Sequence, residues 1–162
     1  MIRLGETKLA LDDVVDVARG SRRIEIASEA MTRMRASRAV VDRAVAQSRV
    51  VYGVTTGFGE LKDRRIPPED TRTLQVNLLR SHSAGVGPAA SREVVRAMLL
   101  LRANSLAQGF SGVRPDVVEM LLAMLDREVT PIVPLQGSVG ASGDLAPLAH
   151  LASVLIGEGE AW

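Results

Sequence analysis

Apolar positions along most of the chain recur at spacings of three and four, the signature of one helix face. Leu11, Val14, Val15 and Ala18 fall on one side of a short helix over 12–18, and Gly20 supplies its stop. Residues 4–11 can hold an extended pair, and Ile24-Glu25-Ile26 alternates like a brief strand. Ser28 is placed to cap a helix reaching about residue 48, whose apolar stripe is Met31, Met34, Val41, Ala44 and Val45. Residues 50–54 are β-rich and predict a short strand, which the glycine-rich run 53–59 ends. Pro67-Pro68 breaks the chain and opens a helix over 68–81. Residues 85–88 read as a turn. Ser91 caps a helix to about Ala107, with Gly109 just past its end. Pro115 opens another helix to about Glu128, and Pro131 and Pro134 bracket a connector into residues 137–143. Asp144 is placed as the N-cap of a last helix ending at Ile156, with Gly157 as its stop.

In that last helix Leu145, Leu148, Ala149, Leu151, Ala152, Val154, Leu155 and Ile156 surround the axis instead of marking one stripe. A helix apolar all round is a buried one, and the helix over 94–106 is nearly as apolar. Two such helices need packing partners on every side. The sequence therefore predicts that the chain continues beyond Trp162 or buries these helices in an oligomer. The fold class is mainly α: a small mixed N-terminal region leads into the start of a helical bundle. The expected division is a mostly helical domain over 1–110 and the start of a central bundle over 111–162.

Composition narrows the chemistry. The chain has 162 residues with 20 basic and 19 acidic side chains, and a net charge of +1 offers no field to recruit nucleic acid or an anionic membrane. The four aromatic rings, Tyr52, Phe58, Phe110 and Trp162, do not make a base-stacking platform. The absence of cysteine excludes disulfides, thiolate zinc sites and a cysteine nucleophile. The only lysines, Lys8 and Lys62, lie outside any convincing site for a Schiff base. His82 and His150 stand far apart, and the carboxylates show no ligand spacing, so no metal site is predicted. Gly140-Ala-Ser-Gly143 has the wrong spacing for the nucleophile elbow of a serine hydrolase. The N-terminus has no hydrophobic signal region and the longest apolar run is 120–125, so a soluble, cytoplasmic protein is expected.

The strongest local signal is Gly-Ser-Val-Gly-Ala-Ser-Gly-Asp over 137–144. As a plain glycine-rich turn before a helix it could be flexible, or could bind an anion through free backbone N–H groups. It lacks the Gly-Lys-Ser/Thr ending of a nucleotide P-loop. In Ala141-Ser142-Gly143 the glycine nitrogen has no neighbouring Cβ to block it. Bent tightly, that nitrogen can attack the Ala141 carbonyl carbon. Loss of one water closes a five-membered ring, and loss of the Ser142 hydroxyl as a second water leaves an exocyclic methylene. Composition alone does not choose between turn and ring. Tyr52 can be a half-buried strand-end residue, or a base followed by a glycine loop. His82 can be a helix C-terminal cap favoured by the dipole. His150, mid-helix, reads as structural.

Residues 137–150, Gly-Ser-Val-Gly-Ala-Ser-Gly-Asp-Leu-Ala-Pro-Leu-Ala-His, resemble the signature of the aromatic amino acid ammonia-lyase family. Tyr52-Gly-Val-Thr-Thr-Gly-Phe-Gly59 resembles its tyrosine loop. Ser81-His82-Ser83-Ala84-Gly85 resembles its substrate-recognition segment, in the form typical of members acting on histidine. Asn104-Ser-Leu-Ala-Gln-Gly-Phe-Ser-Gly-Val-Arg114 is similar as well, and the motifs stand in the family's order from about Val50 onward. The resemblance implies an L-aspartase/fumarase-like helical bundle. It also implies a 4-methylidene-imidazol-5-one electrophile, formed autocatalytically from Ala141, Ser142 and Gly143 with no external cofactor and no metal. By the same resemblance, the methylidene carbon takes the substrate's α-amine, Tyr52 removes a β-proton and ammonia leaves. His82 then lies beside the substrate side chain, and Gly59 and Asp144 support the site. Histidine, giving urocanate, is the implied substrate. Tyrosine or phenylalanine elimination, aminomutation, or a non-catalytic helical fragment that keeps the motif as a turn are the alternatives. Family enzymes are longer homotetramers that share active sites between subunits. The implied partners are an amino acid substrate, the remainder of the chain and identical subunits, with neither nucleic acid nor membrane. By itself this chain is expected to be inactive.

Overall fold

A computed structural model describes all residues except Thr7 and Ser21. The chain runs β1 (Ile2–Leu4), α1 (Leu11–Ala18), β2 (Ile24–Ile26), α2 (Ser28–Ala46), α3 (Thr71–His82), β3 (Val86–Ala89), α4 (Arg92–Ala107), α5 (Pro115–Asp126), β4 (Pro134–Gln136) and α6 (Leu145–Leu155). Among the described residues the strands form two small ladders. β1 and β2 pair in parallel with Ile2 opposite Ile24, and β3 and β4 pair antiparallel with Val86 opposite Gln136. The fold is mainly helical, as the apolar spacing predicts.

The core sits around α4. Val95, Leu99, Leu100, Ala103 and Ala107 recur at three- and four-residue spacing and are fully buried, against Val17 of α1, Met34 of α2 and Val118, Leu121 and Leu125 of α5. Helix punctuation is local chemistry. Ser91 Oγ accepts the Val94 N–H at the start of α4, and Pro115 occupies the first turn of α5, where its missing N–H costs nothing. The Arg96 guanidinium, from inside the α4 face, donates to the carbonyls of Val17, Ala18 and Leu125 at 3.1–3.2 Å. It thereby satisfies the C-terminal ends of both α1 and α5, where carbonyls lack intrahelical partners.

Several expectations are corrected. Residues 52–55 form turns, not a strand, because the Thr55 and Thr56 hydroxyls take up the backbone groups a ladder would use. Residues 85–88, read as a turn, hold most of β3. Pro88 is tolerated because this two-stranded ladder leaves an edge where no N–H is needed. Ala27, not Ser28, is the cap position of α2, and the Ser28 hydroxyl donates to Glu29. A 3₁₀ turn over Pro68–Asp70 precedes α3. In α1 the buried residue is Val17, while Leu11 is exposed. Neither of the two nearly all-apolar helices is covered all round: Val94 and Leu101 of α4 and Leu145 of α6 stay about half exposed. Among the described residues, no helix is long and apolar enough to cross a membrane.

Candidate active site

The tyrosine loop is built by its two threonines. Thr55 Oγ1 accepts the Val51 N–H at 2.9 Å and donates to the Arg49 carbonyl. Thr56, 1% exposed, accepts the Gly53 N–H at 3.3 Å and donates to the Gly57 carbonyl at 3.0 Å. The returning segment closes the loop through Gly57 N–H to Arg64 O and Ile66 N–H to Thr55 O. These bonds leave Tyr52 on the outside, 64% exposed, with its ring edge-on to Phe58 at 5.8 Å between centroids. Gly59 opens the 3₁₀ turn Gly59–Leu61.

His82 ends α3. Its Nδ1 lies 2.9 Å from the Leu78 carbonyl and 3.0 Å from the Ser81 hydroxyl, and a proton on Nδ1 serves the carbonyl, which only accepts. The ring thus caps its own helix, as the plain reading of a terminal histidine predicts. A neutral ring in this tautomer keeps the Nε2 lone pair for another partner.

The loop over 137–144 is a pair of consecutive tight turns. Ala141 N–H donates to Val139 O at 2.8 Å, and Gly143 N–H donates to Gly140 O at 2.9 Å, so Ala141 and Ser142 are the corner residues. Gly143 has φ +87°, a left-handed backbone that glycine adopts without strain, and no atom lies within 4 Å of where a Cβ would stand. Asp144 departs from the expected side-chain cap. Its backbone is left-handed at φ 57°, and its carboxylate accepts the Ser138 hydroxyl, tying the two ends of the loop together. The positive end of α6 follows at once.

These segments meet unequally. The β3–β4 ladder and α6 bring the stretch after His82 onto the base of the Ala141–Ser142–Gly143 loop. Gly85 N–H donates to His150 Nε2 at 3.0 Å, and the Ser83 and Ser153 hydroxyls lie 3.1 Å apart. Among the described residues, the hydrogen bonds of the Tyr52 loop stay within residues 44–66 and do not join it to this cluster. Sequence reasoning missed the contacts of Ser138, Ser83 and Ser153, and left His150 without a partner. One signal was present: His150 and Ser153, spaced i and i+3, are the polar side chains of an otherwise apolar helix.

A family model for aromatic amino acid lyase matches residues 9–162, nearly the whole chain. The chain belongs to the aromatic amino acid lyase family. It is 59% identical over 153 residues to histidine ammonia-lyase of Gloeobacter violaceus, covering 94% of this chain and 30% of that protein. Among solved structures, histidine ammonia-lyase from Trypanosoma cruzi is similar with a TM-score of 0.87 and 42% identity, over 98% of this chain and 30% of that one. Tyrosine aminomutase from Streptomyces globisporus is similar with a TM-score of 0.90 and 38% identity, over 99% of this chain and 30% of that one. The chain therefore spans about 30% of the length of the lyase-family relatives it matches.

Proposed function

We propose that this lyase-family chain carries the electrophile-forming and substrate-facing part of a cytoplasmic enzyme that eliminates ammonia from L-histidine to give urocanate. The observation that carries the reading is the tight turn with Ala141 and Ser142 at its corners and Gly143, left-handed at φ +87°, closing it. Those residues fit the 4-methylidene-imidazol-5-one group: Ala141 supplies the carbonyl, Ser142 the hydroxyl that must leave, and Gly143 the nitrogen, which exchanges its bond to the Gly140 carbonyl for attack on the Ala141 carbonyl carbon. Once formed, the group supplies an electrophile for the substrate amine. Every other role falls to side chains. Asp144 and Ser138 hold the loop closed. The N-terminus of α6 favours negative charge developing at the loop. His82 offers Nε2 to the substrate imidazole, and Tyr52 takes the β-proton. Gly59 supports the tyrosine loop through the 3₁₀ turn it opens.

Tyr52 stands in a loop hydrogen-bonded within itself, which fits a site completed by identical subunits and by the rest of a relative-length chain. In that assembly the bundle proper starts near residue 111. Histidine is favoured over tyrosine by His82 and by the 59% identity to a histidine ammonia-lyase. The likeness to a tyrosine aminomutase keeps tyrosine as the second substrate to test.

The test is product release from histidine, tyrosine and phenylalanine by the protein expressed at the full length of its relatives, with Ser142→Ala as control. Urocanate formation that Ser142→Ala abolishes is expected. Wild-type activity in Ser142→Ala overturns the electrophile, and a preference for tyrosine or phenylalanine overturns the role of His82. Tyr52→Phe is expected to lower turnover by about a hundredfold or more, with ring formation unchanged, because a positioned base contributes on that scale.

A further inference from the structure

His150 has no part in the chemistry above, yet its ring sits where two parts of the site meet. Its Nε2 lies 3.0 Å from the Gly85 nitrogen, just past His82 in the chain. His150 itself is in the second turn of α6, the helix that starts directly after the Ala141–Ser142–Gly143 turn. The contact is close on all sides. A Cβ at Gly85 would stand 3.0 Å from His150 Nε2 and 3.2 Å from Pro134 Cβ, and one at Gly137 would stand 3.0 Å from Gly85 Cα. The imidazole of α6, the backbone following His82 and the first residue of the electrophile loop are thus stacked without room for another side chain.

We propose that His150 is a positioning residue: its Nε2 lone pair takes the Gly85 N–H and sets where His82 stands relative to the Ala141–Ser142–Gly143 turn. The inference rests on the lyase reading and deepens it. An N–H donor needs a bare nitrogen, so the ring must be neutral with its proton on Nδ1. Burial favours that neutral form, holding the imidazole below its ordinary pKa. Losing the acceptor would leave the Gly85 N–H unpaired in a half-buried place, and the segment bearing His82 would shift to find another partner. The loss would fall on substrate placement. The turn that precedes cyclisation has its own hydrogen bonds, from Ala141 to Val139 and from Gly143 to Gly140, so the electrophile would still form.

The experiment compares His150→Leu and His150→Gln in the protein expressed at the full length of its relatives, reading kcat and KM for histidine and the intact mass. His150→Leu is expected to raise KM about tenfold, the scale of one lost hydrogen bond, with a smaller change in kcat. Its mass should remain two waters below the encoded value. His150→Gln, whose amide oxygen can take the same N–H, should recover most of the affinity. An unchanged KM in His150→Leu, or equal impairment in both variants, overturns the proposal. If His150→Leu does not fold, nitrogen-15 NMR of the wild type decides: Nδ1–H with a bare Nε2 is expected, and an Nε2–H or doubly protonated ring at neutral pH overturns it. A wild type that does not act on histidine overturns the lyase reading and this inference together. An active wild type beside an unchanged His150→Leu overturns this inference alone.

Discussion

Burial lowers the pKa of His150 in the folded chain below the 6.5 of a free imidazole. The unfolded chain therefore takes up the proton first, and stability from this residue is complete above about pH 6.5. It is lost as pH falls through the lower folded value. Urea unfolding of wild type and His150→Gln from pH 8 to 5 is expected to show a steeper loss in the wild type; parallel curves would contradict it. Gly137→Ala tests the close approach at the same spot. Gly137 has φ +137° and a Cβ there would meet Gly85 backbone, so a loss of about 1–3 kcal/mol is expected in denaturant unfolding. At this scale the motifs were legible, because Tyr52, His82 and Ala141-Ser142-Gly143 are identities read directly. Their bonding was not. A carboxylate at Asp144 can cap a helix or close a loop, and only the left-handed backbone of this residue decides for the Ser138 hydroxyl.

The elements rest on two devices that single substitutions can remove. Leu99 is fully buried at the centre of α4, and Leu99→Ala is expected to cost about 2–5 kcal/mol in urea unfolding. Arg96 serves two helix ends at once. Arg96→Ala is expected to cost about 1–3 kcal/mol, because it removes the side-chain donor shared by carbonyls at the ends of both α1 and α5. A cost below 0.5 kcal/mol would show that water replaces the guanidinium. The helices were legible because apolar spacing and proline or glycine stops act within a few residues. β3 was not: Val-Gly-Pro-Ala has turn composition, and its pairing is supplied by β4, far along the chain. The supposed strand over 50–54 failed for the converse reason, since Thr55 and Thr56 satisfy its backbone locally.

Across the whole molecule, the apolar residues left outside are as informative as the core. Phe110 is 90% and Val139 78% exposed, and Leu101 and Leu145 are about half exposed on helices read from sequence as wholly buried. Such surfaces favour association. Sedimentation of the 162-residue chain is expected to give a mass rising above 17.3 kDa with concentration, and a constant 17.3 kDa would contradict it. What periodicity could not decide is which surfaces meet, because an all-round apolar helix specifies burial but not its partner. The reading as a whole turns on whether three backbone units become an electrophile. The intact mass of the protein, expressed at the full length of its relatives, tests this most directly, with Ser142→Ala measured alongside. The wild type is predicted to lie two water masses below its encoded value and Ser142→Ala not to; a wild type at its encoded mass would contradict the account.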